Sequence, residues 1–216
     1  MLGEIFDPTA DVEIYEHCRP HWSQAGAVVF ITFRTCDSIP QEVLNRWDRE
    51  KQEWVKTRGL DDGRKWSDVL PTLGEKDQAA FTKYFERCRE DFFDGCHGEC
   101  LLKTPALAQI VNDSLLHFDG VRCRMGDFVV MPNHVHLLAV FSSSEALNEQ
   151  CDSWTPYTAA KINRAIGSKG KFWQQEPFDH LVRSVEQYDY LRKYIADNPS
   201  EARLRPCEYL YRRVAD

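Results

Sequence analysis

No apolar run in this 216-residue chain approaches the ~20 residues that a membrane-spanning helix needs, so a helical membrane protein is excluded. Residues 1–8 carry acids and lack a basic start followed by an apolar stretch. No secretory leader is therefore expected, and a cytoplasmic location is. Internal repeats and low-complexity stretches are absent. So are the H-x-E with P-C-x-x-C pattern of zinc deaminases and the glycine-rich P-loop. Cys96-His97-x-x-Cys100 has no second pair at suitable spacing, and a structural zinc site needs four ligands. Positive charge is also short: the net charge is −7, which taken alone argues against a phosphate-rich partner.

What is present is core material. Hydrophobic residues make up 43% of the chain, with six Trp and twelve Phe, which argues against disorder. The length suits one compact domain with an insertion, or at most two small ones. Eight Cys are scattered, and without an export signal they read as free thiols. The charge is unevenly spread. Residues 154–216 hold 11 Lys and Arg against 8 Asp and Glu, leaving 16 against 26 for the rest. A locally basic third is compatible with a nucleic-acid face that the total conceals.

Residues 28–33 (VVFITF) read as a buried strand. Residues 40–58 and 75–94 read as charged helices, and 60–74 as a loop punctuated by Gly, Pro and Asp. Together they look like an acidic helical insertion, about 40–94, into a smaller core. Residues 105–118 form an amphipathic helix ended by Gly120. Two strands, 121–130 and 134–141, are joined by Met131-Pro132-Asn133 as a hairpin. A helix is expected over 156–166, short extended pieces at 172–173 and 178–182, and a last helix over 184–197. Ser184 would cap that helix and Asn198-Pro199 would close it. This order suits an α+β sandwich with one antiparallel sheet and helices on one face.

The chemistry concentrates in two places. On a strand, alternate side chains share a face, so His134 and His136 point the same way while Val135 points into the core. Two adjacent imidazoles make half of a divalent-metal site, although a pair of solvent-facing His would show the same spacing. On the last helix Tyr194 and Asn198 are four apart and stack on one face. A phenol can be a covalent nucleophile and an amide oxygen a hard metal ligand. Core or surface aromatics are the plainer alternative for Tyr188, Tyr190 and Tyr194.

His-hydrophobic-His followed by a Tyr-x-x-x-Asn helix resembles the HUH single-tyrosine transposases. The segments FITFRT (30–35), VVMPNHVHLL (129–138), KINRAIGSKGKFW (161–173), FDHLVR (178–183) and YIADNPSEARL (194–204) resemble their REP-associated tyrosine transposase branch. The likeness runs from about 28 to 204, with Ser200 and Glu201 departing from the apolar and basic residues usual there. It implies a ferredoxin-like βαββαβ core within a single domain, 1–216, that carries the insertion. It implies a transposase, a single-stranded DNA endonuclease that cleaves beside hairpins such as REP-like palindromes and rejoins strands through a 5′-phosphotyrosine. His134, His136 and Asn198 match the family's ligands for Mg²⁺ or Mn²⁺, and Tyr194 its nucleophile. A monomer associated with the nucleoid is the expected form. A domesticated hairpin-binding protein without cleavage is the alternative.

Other residues are read more loosely. Asp179, His180 and Arg183 are candidates to support the metal ligands or touch DNA, against a satisfied cluster at a strand end. Lys161, Arg164, Lys169 and Lys171, interleaved with Gly167, Gly170 and Trp173, suit single-stranded DNA, against an ordinary solvated helix end. Arg34, ending the first strand, stands where relatives place basic residues toward DNA.

Overall fold

The computed structural model describes residues 1–16, 20–60, 63–93, 96–175 and 177–214. It divides into two compact units, Met1–Ser38 with Glu99–Asp216, and Ile39–Gly98.

In the larger unit β1 (Glu13–Glu16) and β2 (Pro20–Ser23) form a separate two-stranded ribbon that the sequence reading did not foresee. The main strand β3 (Val28–Arg34) leads toward the smaller unit, which contains α1 (Gln41–Thr57), α2 (Trp66–Val69) and α3 (Glu75–Phe93). The larger unit resumes with α4 (Pro105–Leu116), β4 (Cys123–Val130), β5 (His134–Phe141), α5 (Ser144–Ile166), β6 (Phe178–Leu181), α6 (Val185–Glu201) and β7 (Leu210–Arg212). The sheet order is β6-β3-β5-β4-β7, with every neighbouring pair antiparallel. Within it β3-α4-β4-β5-α5-β6 is the ferredoxin-like βαββαβ arrangement, and β7 is an added edge strand. The fold is therefore α+β, as expected.

Strand alternation sorts the sheet into two faces. Val29, Ile31 and Phe33 of β3 and Val135, Leu137, Ala139 and Phe141 of β5 meet Leu107, Ala108, Val111 and Leu115 of α4 and Leu147, Cys151, Trp154 and Ile162 of α5. Trp154 Nε1 donates to the Ser114 carbonyl at 3.1 Å, so even the indole's polar atom is satisfied between the two helices. Each such large apolar side chain contributes about 1.5–3 kcal/mol on burial. The expected placement of helices on one face holds for α4 and α5. The last helix, α6, lies across the other face, where Arg192, Tyr194 and Asn198 reach β4 and β5.

Two helix boundaries differ from expectation for a common reason. Proline was read as a terminus, yet Pro156 and Pro199 both lie inside helices. The helix α5 starts at Ser144, where the Ser143 side chain accepts from Ala146 N, well before residue 156. Thr155 and Thr158 hydroxyls donate to the Cys151 and Trp154 carbonyls beside the rung that Pro156 cannot make. The helix α6 continues through Pro199 to Glu201, so Asn198 is an interior helical residue. Residues 60–74 contain α2 and a single 3₁₀ turn (Leu70–Thr72) besides loop.

The register of β4 on β5 shifts between Met125 and Phe128. Gly126 lies in this bulge: a Cβ there would stand 3.0 Å from the Leu138 carbonyl oxygen and 3.1 Å from Leu138 Cβ. Any side chain here would force the facing backbone to give, so glycine favours this close approach. The next residue is Asp127, buried and paired with α6.

In the smaller unit Trp54, Val55, Val69 and Phe81 form the core, flanked by Leu60, Trp66, Leu70, Leu73 and Phe85. The charged stretch from about 40 to 94 lies in this unit.

Candidate functional site

The site is built on the sheet face beneath α6. Register sets Thr32 opposite His136 and Arg34 opposite His134, all side by side. His134 and His136 are 3% and 2% exposed, unusually deep for paired imidazoles. Each ring is held from behind. The His134 Nδ1 lies 2.7 Å from Asn133 Oδ1, an acceptor, and the His136 Nδ1 lies 2.8 Å from Thr32 Oγ1. With Nδ1 protonated, Nε2 carries the lone pair.

Helix α6 supplies the opposite wall. Ser184 caps it by accepting from Gln187 N. One turn apart, Tyr194 Oη lies 3.5 Å from His136 Nε2, and Asn198 Oδ1 lies 3.3 Å from His134 Nε2. Phe30 packs among these groups, stacked on His136 at 5.3 Å and edge-on to Tyr194 at 6.3 Å. Tyr190 stacks on the outer side of Tyr194 at 6.3 Å.

A clamp fixes where α6 lies. Arg192 Nε donates to Asp127 Oδ2 at 2.9 Å, and its Nη2 donates to the Val214 carbonyl at 3.1 Å. The other Asp127 oxygen accepts from Val214 N at 2.8 Å. One buried carboxylate thus ties the tyrosine helix, the β4 bulge and the chain after β7 together.

Burial, with the nearby Arg34 guanidinium adding to it, holds His134 well below the ordinary histidine range. Burial, then His134, then Arg34 do the same for His136. Both imidazoles are neutral at pH 7, as metal ligands must be. Two Nε2 atoms and an amide oxygen converge, which suits a borderline-to-hard divalent ion, and each imidazole is backed at Nδ1 as bound histidines are. His134, His136 and Asn198 could therefore hold such an ion with coordination positions to spare. Among the described residues there is no cluster of three or more His, Cys, Asp or Glu arranged for a metal, and this set relies on an amide instead.

The remaining sequence candidates separate. His180 is on the same face, 5.3 Å from the Phe30 ring, and burial followed by Arg183 lowers its pKa. Asp179 alternates to the opposite face. There it adds to the burial that raises the Cys151 thiol of α5, so it does not stand with the His–Tyr group. Arg183 is exposed in the turn before α6. Lys161 and Arg164 are on the exposed side of α5, behind the sheet, with Lys161 over the Tyr157 ring. Lys169 and Lys171 lie in the loop after the Gly167 cap. That loop returns along the end of β3, where Cys36 N donates to the Phe172 carbonyl and Gln174 N to the Arg34 carbonyl. Lys171 therefore emerges at the His134 end of the sheet. The sequence reading gave no role to Phe30, Thr32, Asn133, Asp127 or Arg192. Adjacency to His134 could have found Asn133.

No family model and no curated protein matches the chain. One solved structure is similar to it. That structure, of a REP-associated tyrosine transposase bound to a REP hairpin, is 14% identical with a TM-score of 0.41, over 87% of this chain and 73% of that one. Among the described residues no helix is long and apolar enough to cross a membrane.

Proposed function

We propose that the protein is a metal-dependent, single-tyrosine DNA strand-transfer enzyme, a transposase that cuts and rejoins single-stranded DNA beside a hairpin. The convergence of His134, His136, Tyr194 and Asn198 from β5 and α6 carries this reading. The motif resemblance of residues 28–204 agrees with it.

His134, His136 and Asn198 would hold Mg²⁺ or Mn²⁺. When bound, such an ion would supply positive charge to polarise and orient the scissile phosphate. Tyr194 is the nucleophile: its oxygen bonds to phosphorus as the bond to the 3′ oxygen breaks. The phenol proton leaves to water, and the 3′ oxygen gains one. The products are a 5′-phosphotyrosine and a free 3′-hydroxyl, and attack by another 3′-hydroxyl reverses the step without ATP. Phe30 and Tyr190 brace the phenol ring, while Thr32 and Asn133 orient the two imidazoles. His180, Arg183, Arg34 and Lys171 lie where they can meet phosphates. One chain can supply all four central groups, and we propose a monomer as the acting form.

The test is a cleavage assay on end-labelled single-stranded DNA carrying a hairpin, with Mg²⁺ or Mn²⁺. A covalent protein–DNA band is expected that EDTA and Tyr194→Phe both remove. Hairpin binding with no covalent band, over a panel of hairpins and both metals, would overturn cleavage and leave a hairpin-binding protein.

A further inference from the structure

The smaller unit, residues 39–98, contains a cleft of 230 Å³ lined by Trp47, Lys51, Phe81, Phe85 and Arg89, with Leu70, Thr82 and Cys88 completing the wall. We propose that this cleft is a second single-stranded DNA subsite that takes one unpaired nucleotide, its base against the aromatic walls and its phosphate between Lys51 and Arg89. The inference rests on the reading of the protein as one that handles single-stranded DNA. It does not rest on cleavage.

Three features argue for a flat, anionic occupant. The first is the wall itself. Trp54, Trp66 and Phe85 all pack on Phe81, at 5.1, 5.5 and 4.7 Å, and leave part of Phe85 and Trp47 facing the cleft. Aromatic faces of this kind stack bases without regard to sequence.

The second is charge. Burial lowers the Lys51 ammonium; Asp48 offsets part of this, and the nearby Arg89 guanidinium lowers it further. The Lys51 Nζ is poised 4.5 Å over the Trp66 ring and 5.9 Å from that of Phe85, partly stripped of water. The nearby carboxylate, Asp48, is engaged by Trp66 Nε1 at 2.7 Å. An incoming phosphate would relieve the repulsion between the two cations. The third is size. The volume falls below the ~300–1,000 Å³ of drug-sized pockets, giving room for one ring system and not for an extended ligand.

Photo-crosslinking locates the subsite directly. The full-length protein in EDTA is mixed with a ten-residue oligothymidylate carrying one 5-iododeoxyuridine, irradiated, and digested for mass spectrometry. Crosslinks to Trp47 or Phe85 are expected. Lys51→Gln and Arg89→Gln should each weaken this crosslink about tenfold. Each should also lower the log–log salt slope of oligothymidylate binding by about 0.7, which a purely structural role would not do. Crosslinks confined to residues outside 39–98, or unchanged salt slopes in both variants, would overturn the proposal. A covalent Tyr194 adduct in the separate hairpin assay with Mg²⁺ or Mn²⁺, together with no crosslinks here in EDTA, sinks this inference alone. Crosslinks here in EDTA, with no adduct in that metal-containing hairpin assay, sink the cleavage reading alone.

Discussion

The two faces of the sheet are made by the same strands and differ in almost everything else. Toward α4 and α5, β5 presents Val135, Leu137, Ala139 and Phe141, sealed by Trp154 and Ile162. Toward α6 it presents His134 and His136, with Thr32, Phe30 and His180 beside them. Both faces are buried, so exposure does not distinguish them. Hydrogen bonding does. The polar face uses Asn133 and Thr32 to partner the imidazoles at Nδ1, where the apolar face needs no partners. A buried polar cluster adds less stability than the hydrophobic packing it replaces, so its presence is best explained by chemistry.

The comparison predicts that each face can be broken alone. Tyr194→Phe should remove the covalent DNA adduct entirely while leaving the thermal midpoint within about 2 °C, as a melt beside a gel would register. Leu137→Ala, one residue from His136 but on the apolar face, should cost about 2–5 kcal/mol in urea unfolding and spare metal affinity per folded molecule. Arg192→Ala should cost about 1.5–3 kcal/mol, because Asp127 stays buried after losing a charged partner. That variant should also slow adduct formation, and Arg192→Lys should recover little, since lysine cannot make the two-sided contact.

Thr32→Val keeps shape and removes one oxygen. It should reduce Mn²⁺ affinity by about 10–100-fold in calorimetry and, by orphaning the buried His136 Nδ1, cost about 1–3 kcal/mol in urea unfolding. The smallest effect belongs to the edge. Glu208 accepts from Arg205 N and its guanidinium near β7, which pulls its carboxyl down to about 2. The stability this lends is present above the ordinary glutamate range and is lost as pH falls toward 2. Glu208→Gln should flatten the acid limb of a melting-temperature profile between about pH 4.5 and 2.

Much of this was legible because two periodicities are local. Alternation in β5 placed His134 and His136 together, and four-residue spacing aligned Tyr194 with Asn198. The same rule, applied to β6, would have separated Asp179 from His180, which were grouped by adjacency alone. The order of strands and helices could be read from their patterns, while the ferredoxin-like βαββαβ core followed from the family resemblance. Thr32 behind His136 could not, since it depends on the register of strands a hundred residues apart. Nor could the Asp127–Arg192 pair, because a bulge re-aims Asp127. The full length of α5 was hidden by Pro156, whose cost in a helix is offset by tertiary packing.

The path of the chain after Tyr194 has a topological consequence. Beyond α6 the chain turns back as β7 and pairs with β4, while Arg192 grips the backbone at Val214. The tyrosine helix is thus fastened at both ends to the sheet that carries the histidines. Exchange of α6 between two copies would have to peel β7 from β4 or carry β7 along with it. Whatever loosens the last strand also loosens the wall from which Tyr194 points.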